Sequence, residues 1–222
     1  NRRNIYKMSE IYTNIQEIRE INKLGIIDGI TTNPSLIAKS GQGFNQILKS
    51  ICKEVKGPVS AEVTAENFEN MLSEAKILSN ISKNIVIKLP LTFNGLKACK
   101  YLTKKKYKTN VTLCFTVPQA ILAAKAGATY ISPFIGRLDD IGQSGVDLIR
   151  DIKKVFSNYT NFKTKILAAS IRSLEHVTEV AKAGADISTI PPKIFHQLYK
   201  HELTEKGLKI FLEDWEKSKQ KI

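Results

Sequence analysis

Short runs of apolar, β-branched residues recur along the chain, and between them apolar positions return at intervals of three and four. The first spacing suits buried parallel strands and the second suits amphipathic helices, so the pattern predicts repeated βα units. Strands are predicted at about 8–13, 26–31, 58–63, 84–88, 109–113, 128–132, 164–169 and 186–190, each followed by a helical stretch. Eight such units in 222 residues predict an α/β fold: a (β/α)8 TIM barrel, one domain over 1–222, with a C-terminal amphipathic helix. An open doubly wound sheet shares the alternation. Against it, no G-x-G-x-x-G follows the first strand and no G-x-x-x-x-G-K-[ST] occurs.

Glycine marks the ends of several predicted helices, where a left-handed residue closes the last turn. The clearest cases are Lys125-Ala126-Gly127-Ala128 and Lys182-Ala183-Gly184-Ala185. Each leads into Ile-Ser (Ile131-Ser132, Ile187-Ser188) and then proline (Pro133, Pro191-Pro192), a short internal echo of the βα unit. At the other extreme, Leu208 to Ile222 is predicted as an amphipathic helix with Ile210, Phe211 and Trp215 on one side. That face must dock either on its own barrel or on a neighbouring subunit.

Composition narrows the class further. Hydrophobic residues make up 42% and charged residues 25%, as in soluble globular proteins. Cys52, Cys99 and Cys114 form no CxxC pair and do not cluster with the histidines, which argues against a disulfide framework or a metal site. No apolar run approaches the roughly 18 residues of a membrane span. A soluble cytoplasmic protein with no membrane partner is the expectation.

Thirty-four Lys and Arg against 21 Asp and Glu give a formal charge of +13, which favours anionic partners, either nucleic acid or phosphorylated metabolites. The run Lys104-Lys105-Lys106-Tyr107-Lys108 falls where a helix should end, a position that favours solvated lysines. Arginine is sparse and no aromatic-basic interleaving is present, so nucleic-acid binding is the weaker alternative.

In such a barrel the chemistry sits at the C-terminal strand ends. Lys88 ends the run Asn84-Ile85-Val86-Ile87, and alternation puts it on the face of Val86, opposite Ile85 and Ile87. If that face points inward, desolvation works against the ammonium and frees a lone pair for attack on a carbonyl. The ordinary alternative is a lysine that merely reaches solvent. Glu62 is the only acidic residue at a predicted inward strand end, and its plain reading is an ion pair with Lys88. Asn33, Asn110 and Thr112 end other strands and could converge on an iminium. Arg137, Ser170 and Arg172 come from later strand ends, where barrels commonly bind phosphate. Pairing with Asp139 or Asp140 is the alternative role for Arg137.

Five strings in order resemble one family, the small-subunit transaldolases and the related fructose 6-phosphate aldolases. They are Gly29-Ile30-Thr31-Thr32-Asn33-Pro34-Ser35, Ile85-Val86-Ile87-Lys88-Leu89-Pro90, Asn110-Val111-Thr112, Ser132-Pro133-Phe134-Ile135-Gly136-Arg137-Leu138-Asp139-Asp140 and Leu167-Ala168-Ala169-Ser170-Ile171-Arg172. The similarity runs from Ile15 to Trp215. It implies transfer of a dihydroxyacetone unit between sugar phosphates through a Schiff base on Lys88, with no metal or organic cofactor. By the same resemblance Glu62 and Thr112 handle protons through a water, and Thr31, Asn33, Asn110 and Phe134 meet the substrate. Arg137, Ser170 and Arg172 hold its phosphate. Glu62 and Phe134 match the transferases, where the aldolases tend to carry Gln and Tyr. A homo-oligomer, pentamer or decamer, is also implied.

One position departs from the family. Its first strand carries an Asp that serves proton transfer, and ungapped counting puts Ile11 there. Loss of a positioned acid or base costs about 10²–10⁴-fold in rate, so a sugar-phosphate-binding paralogue with little turnover is a third reading.

Overall fold

The computed structural model describes residues 6–11, 14–38 and 43–221. Eight parallel strands close into a barrel in chain order: β1 (Lys7–Ile11), β2 (Gly29–Thr31), β3 (Val59–Glu62), β4 (Ile85–Pro90), β5 (Thr109–Cys114), β6 (Tyr130–Pro133), β7 (Lys165–Ala168) and β8 (Ile187–Ile190). The seam is the pairing of β1 with β8, Lys7 opposite Ile187 through Glu10 opposite Ile190. The outer ring comprises α1 (Ile15–Asn22), α2 (Pro34–Ala38), α3 (Phe44–Glu54), α4 (Phe68–Ser79), α5 (Phe93–Lys104) and α6 (Val117–Ala126). It continues with α7 (Ile135–Asp139), α8 (Gly145–Ser157), α9 (Leu174–Lys182), α10 (Pro192–Phe195) and α11 (Glu202–Ser218).

The main apolar core lies between the barrel wall and the helices. On β4, Ile85, Ile87 and Leu89 alternate into this layer, which is covered there by the stripes Met71, Ala75 and Leu78 of α4 and Ala98, Cys99 and Leu102 of α5. Each side chain buried in this way contributes about 1.5–3 kcal/mol. A second, smaller apolar cluster inside the barrel comprises Leu167, Ala169 and Ile187 with Tyr130 and Phe134. Polar side chains occupy much of the rest, among them the buried Ser9, Thr31, Ser60, Asn110, Ser132 and Thr189.

Local signals set the helix ends. Asn14, Asn67, Thr92, Thr116, Ser144 and Ser173 each accept a hydrogen bond from the backbone N–H three residues on, satisfying first-turn donors at about 1 kcal/mol per cap. Gly127 (φ 89°) and Gly184 (φ 93°) take the left-handed conformation expected of the AKAGA repeats. In both, the following alanine N–H returns to the last helical turn, Ala128 to Ala123 and Ala185 to Val180.

Some boundaries shift. Residues 26–28 precede β2 as a connecting segment, with Ile26 half exposed, because the Asp28 carboxylate already binds the Met8 N–H at 2.9 Å. The lysines of the 104–108 run are exposed at the end of α5, as the helix-end reading requires. The terminal helix starts earlier than expected, at Glu202, and buries no residue. Packing of Ile210, Phe211 and Trp215 on their own barrel is therefore not found; Phe211 is 73% exposed. No helix among the described residues is long and apolar enough to cross a membrane. The backbone of Ile11 pairs with Thr31, but its side chain lies outside the described residues, as do residues 1–5 of the N-terminal extension.

Candidate active site

The strand ends open on a cavity of about 400 Å³, within the range of small-molecule sites. Register brings Glu62, Lys88 and Asn110 side by side on β3, β4 and β5. Lys88 is buried at 6% exposure. Its Nζ sits 2.9 Å from Glu62 Oε2 and donates to the Thr32 carbonyl at 3.0 Å. The ion pair read from the sequence is thus present, and it places a carboxylate within proton-transfer distance of the amine.

Asn110, fully buried, is held from both sides. Its amide donates to Ser60 Oγ at 3.1 Å and its carbonyl accepts from Ser132 Oγ at 2.7 Å. Thr31 shares a 2.7 Å hydrogen bond with Thr189. Thr112 differs: its Oγ1 is buried with no hydrogen-bond partner among the described residues. A buried hydroxyl of this kind costs about 1–3 kcal/mol unless something else satisfies it. Beyond Thr112 the β5 register shifts at a bulge, and Leu113 adopts φ 61°. Ser170, on the opposite rim, is also left-handed at φ 60°. Strained non-glycine residues of this sort concentrate at functional sites.

The rim across from Lys88 is cationic. The Arg137 guanidinium lies 5.1 Å over the Phe134 ring, which packs edge-on against Phe115. Arg172 forms a two-pronged pair with Asp140; its Nη1 meets Oδ1 closely and its Nη2 reaches Oδ2 at 2.7 Å. The hydrogen bond from Arg172, helped by its charge and that of Arg137 and opposed by slight desolvation, holds the Asp140 carboxyl below the usual carboxylate range. The acid pairing considered for Arg137 thus belongs to Arg172. Gly136 is required where the two segments cross, since a Cβ there would lie 2.4 Å from the Ser170 carbonyl oxygen and 2.7 Å from Arg172 Nε.

Nine of the ten residues singled out from the sequence line this one cavity, from Thr31, Asn33 and Lys88 on one side to Arg137, Ser170 and Arg172 on the other. Glu62 does not line it directly and reaches it through Lys88. Sequence reasoning missed the Thr32 carbonyl, Ser60, Ser132 and Thr189. Period-two alternation from Glu62 and Phe134 was available for Ser60 and Ser132, whereas a backbone carbonyl has no side-chain signature.

Fold and site together define a (β/α)8-barrel enzyme with a buried lysine-carboxylate pair facing an arginine-lined rim. The family model described as transaldolase/fructose-6-phosphate aldolase matches residues 12–222, and the chain belongs to that family. Among its relatives, a protein of Bartonella henselae named "Probable transaldolase" is 60% identical over 94% of this chain and 96% of its own length. One of Rhizobium meliloti with the same name is 58% identical over 94% and 95%. The solved thiamine phosphate pyrophosphorylase from Pyrococcus furiosus shares the fold alone, with 16% identity and a TM-score of 0.58 over 89% of this chain and 96% of that one.

The orphaned hydroxyl gives a test. Thr112→Val should leave the urea-unfolding free energy unchanged or raised, because no protein hydrogen bond is lost, while the turnover rate falls roughly 10²-fold or more. Lower stability with full activity would show the hydroxyl to be structural.

Proposed function

We propose that this chain is a transaldolase acting through a Schiff base on Lys88. It would convert sedoheptulose 7-phosphate and glyceraldehyde 3-phosphate to erythrose 4-phosphate and fructose 6-phosphate, a step of the cytoplasmic pentose phosphate pathway. The observation that carries the reading is the buried Lys88 ammonium, 2.9 Å from Glu62, in a cavity whose far rim holds Arg137 and Arg172.

Glu62 takes the ammonium proton, and Nζ attacks C2 of the ketose phosphate to give a carbinolamine. Protonation of its hydroxyl releases water and leaves an iminium. The C4 hydroxyl then gives up its proton, through a water held by Glu62 and Thr112, as the C3–C4 bond breaks. The electron pair flows into the iminium, leaving a dihydroxyacetone enamine and releasing the aldose phosphate. Attack of the enamine on the acceptor aldehyde and hydrolysis of the new iminium regenerate Lys88. Thr31, Asn33 and Asn110 orient substrate hydroxyls, and Arg137, Ser170 and Arg172 bind phosphate, where planar guanidinium groups suit a phosphate monoester. No metal or organic cofactor enters these steps. Phe134 supports transfer over aldol cleavage, since it offers no hydroxyl to position water against the enamine.

A second reading, a sugar-phosphate binder with little turnover, rests on Ile11 standing where the family has Asp. For assembly, the exposed apolar face of α11 supports docking on a neighbouring copy in a pentamer or decamer.

With fructose 6-phosphate as donor, erythrose 4-phosphate should raise donor consumption at least tenfold, and Lys88→Met should abolish it. Equal rates with free dihydroxyacetone as product would make the protein an aldolase; retained phosphate binding without turnover in either arm would favour the binder. Light scattering should give a mass several times that of one chain, reduced by Phe211→Glu. A monomeric parent protein would overturn the assembly reading.

A further inference from the structure

His176 is not a member of the cavity wall, yet its ring is bonded to the backbone of Arg172 and two further contacts fix it in place. It is the third residue of α9, and its backbone N–H is bound by the N-cap Ser173 Oγ at 3.1 Å. Its ring turns back to accept the Arg172 backbone N–H on Nδ1 at 3.2 Å. A backbone N–H can only donate, so Nδ1 is the acceptor and the ring proton resides on Nε2. That nitrogen faces Asp139 Oδ2 at 2.8 Å. Asp139 is itself fixed, because its Oδ1 accepts the Gly145 N–H at 3.0 Å, at the start of α8. The chain of contacts therefore runs from α8 through Asp139 and the imidazole to the peptide group of Arg172.

The neighbouring acid acts on the same arginine from the other end. Asp140 grips the guanidinium, while the Asp139–His176 pair holds the backbone. Between them the segment makes a left-handed turn at Ser170, a conformation that L side chains enter only when the surroundings impose it. Its carbonyl oxygen also receives the Gly136 N–H at 3.1 Å. The imidazole is mostly enclosed, with 18% of its side-chain surface exposed.

We propose that His176, in its Nε2-protonated form, is a positioning residue for the phosphate-binding segment Ser170–Arg172, with Asp139 selecting the tautomer. This rests on the assignment of Arg172 to substrate phosphate. The imidazole touches no reacting atom. Its effect is to hold the Arg172 peptide so that the guanidinium, when released from Asp140, meets a phosphate at the cavity rim and not bulk solvent.

The test uses the full-length protein, fructose 6-phosphate with erythrose 4-phosphate, and inorganic phosphate as a competitive inhibitor. His176→Phe removes the acceptor and should raise both KM for fructose 6-phosphate and the inhibition constant of phosphate roughly three- to tenfold, the loss of one hydrogen bond, with kcat within about twofold. His176→Asn places an amide oxygen where Nδ1 stands and should restore most of both losses. Asp139→Asn keeps the acceptor for Gly145 but turns a donor toward the ring, so it should behave like His176→Phe. It should also exchange the protonated and unprotonated nitrogens in the imidazole ¹⁵N spectrum. Arg172→Ala is the reference. If it raises both constants and the His176 variants do not, or if His176→Phe lowers kcat and melting temperature with KM unchanged and Asn gives no rescue, His176 is not a positioning residue. If Arg172→Ala itself leaves both constants unchanged, the phosphate assignment fails and the inference fails with it.

Discussion

A lysine ammonium inside a closed barrel is tolerable only if its charge is met there, and the Glu62–Lys88 pair with the Thr32 carbonyl meets it. An unpartnered charge at that depth would cost several kcal/mol. This requirement shapes the interior. Where a purely structural barrel would stack branched apolar residues, this one joins Ser60, Asn110 and Ser132 in one hydrogen-bonded chain and pairs Thr31 with Thr189. Asn110 is thereby immobilised beside Lys88, so the polar groups lining the cavity are oriented in advance.

Stability and chemistry occupy different faces of the same strands. Ile85, Ile87 and Leu89 of β4 carry the packing against the helices, and Lys88, between them in sequence, faces the other way. The division lets the strand ends and the loops after them hold a Thr112 hydroxyl with no partner among the described residues, and left-handed Leu113 and Ser170, without endangering the fold. On the arginine-lined rim, the consecutive acids Asp139 and Asp140 reach Arg172 by two routes, the first by way of the His176 ring and the second by direct contact.

Much of this was legible in the residues. The eight-fold alternation and the left-handed Gly127 and Gly184 are local properties, read directly from spacing. So is the inward face of Lys88, which follows from period two on β4. What could not be read depends on contacts distant in sequence. Arg172, not Arg137, pairs with Asp140 because the segments after β6 and β7 meet at Gly136, a geometry invisible before folding. Thr32 contributes a carbonyl, and His176 contributes a ring that acts through a peptide N–H. The terminal helix was recognised as amphipathic, but amphipathicity alone does not say which surface covers it, and its own barrel does not.

A Schiff-base mechanism requires Lys88 Nζ to become covalently bonded to the donor. Incubation with fructose 6-phosphate followed by borohydride and peptide mass mapping tests it most directly. A reduced dihydroxyacetone adduct should be confined to the peptide containing Lys88 and absent in Lys88→Met. An unmodified Lys88 in protein that is turning over substrate, or an adduct on another lysine, would contradict it.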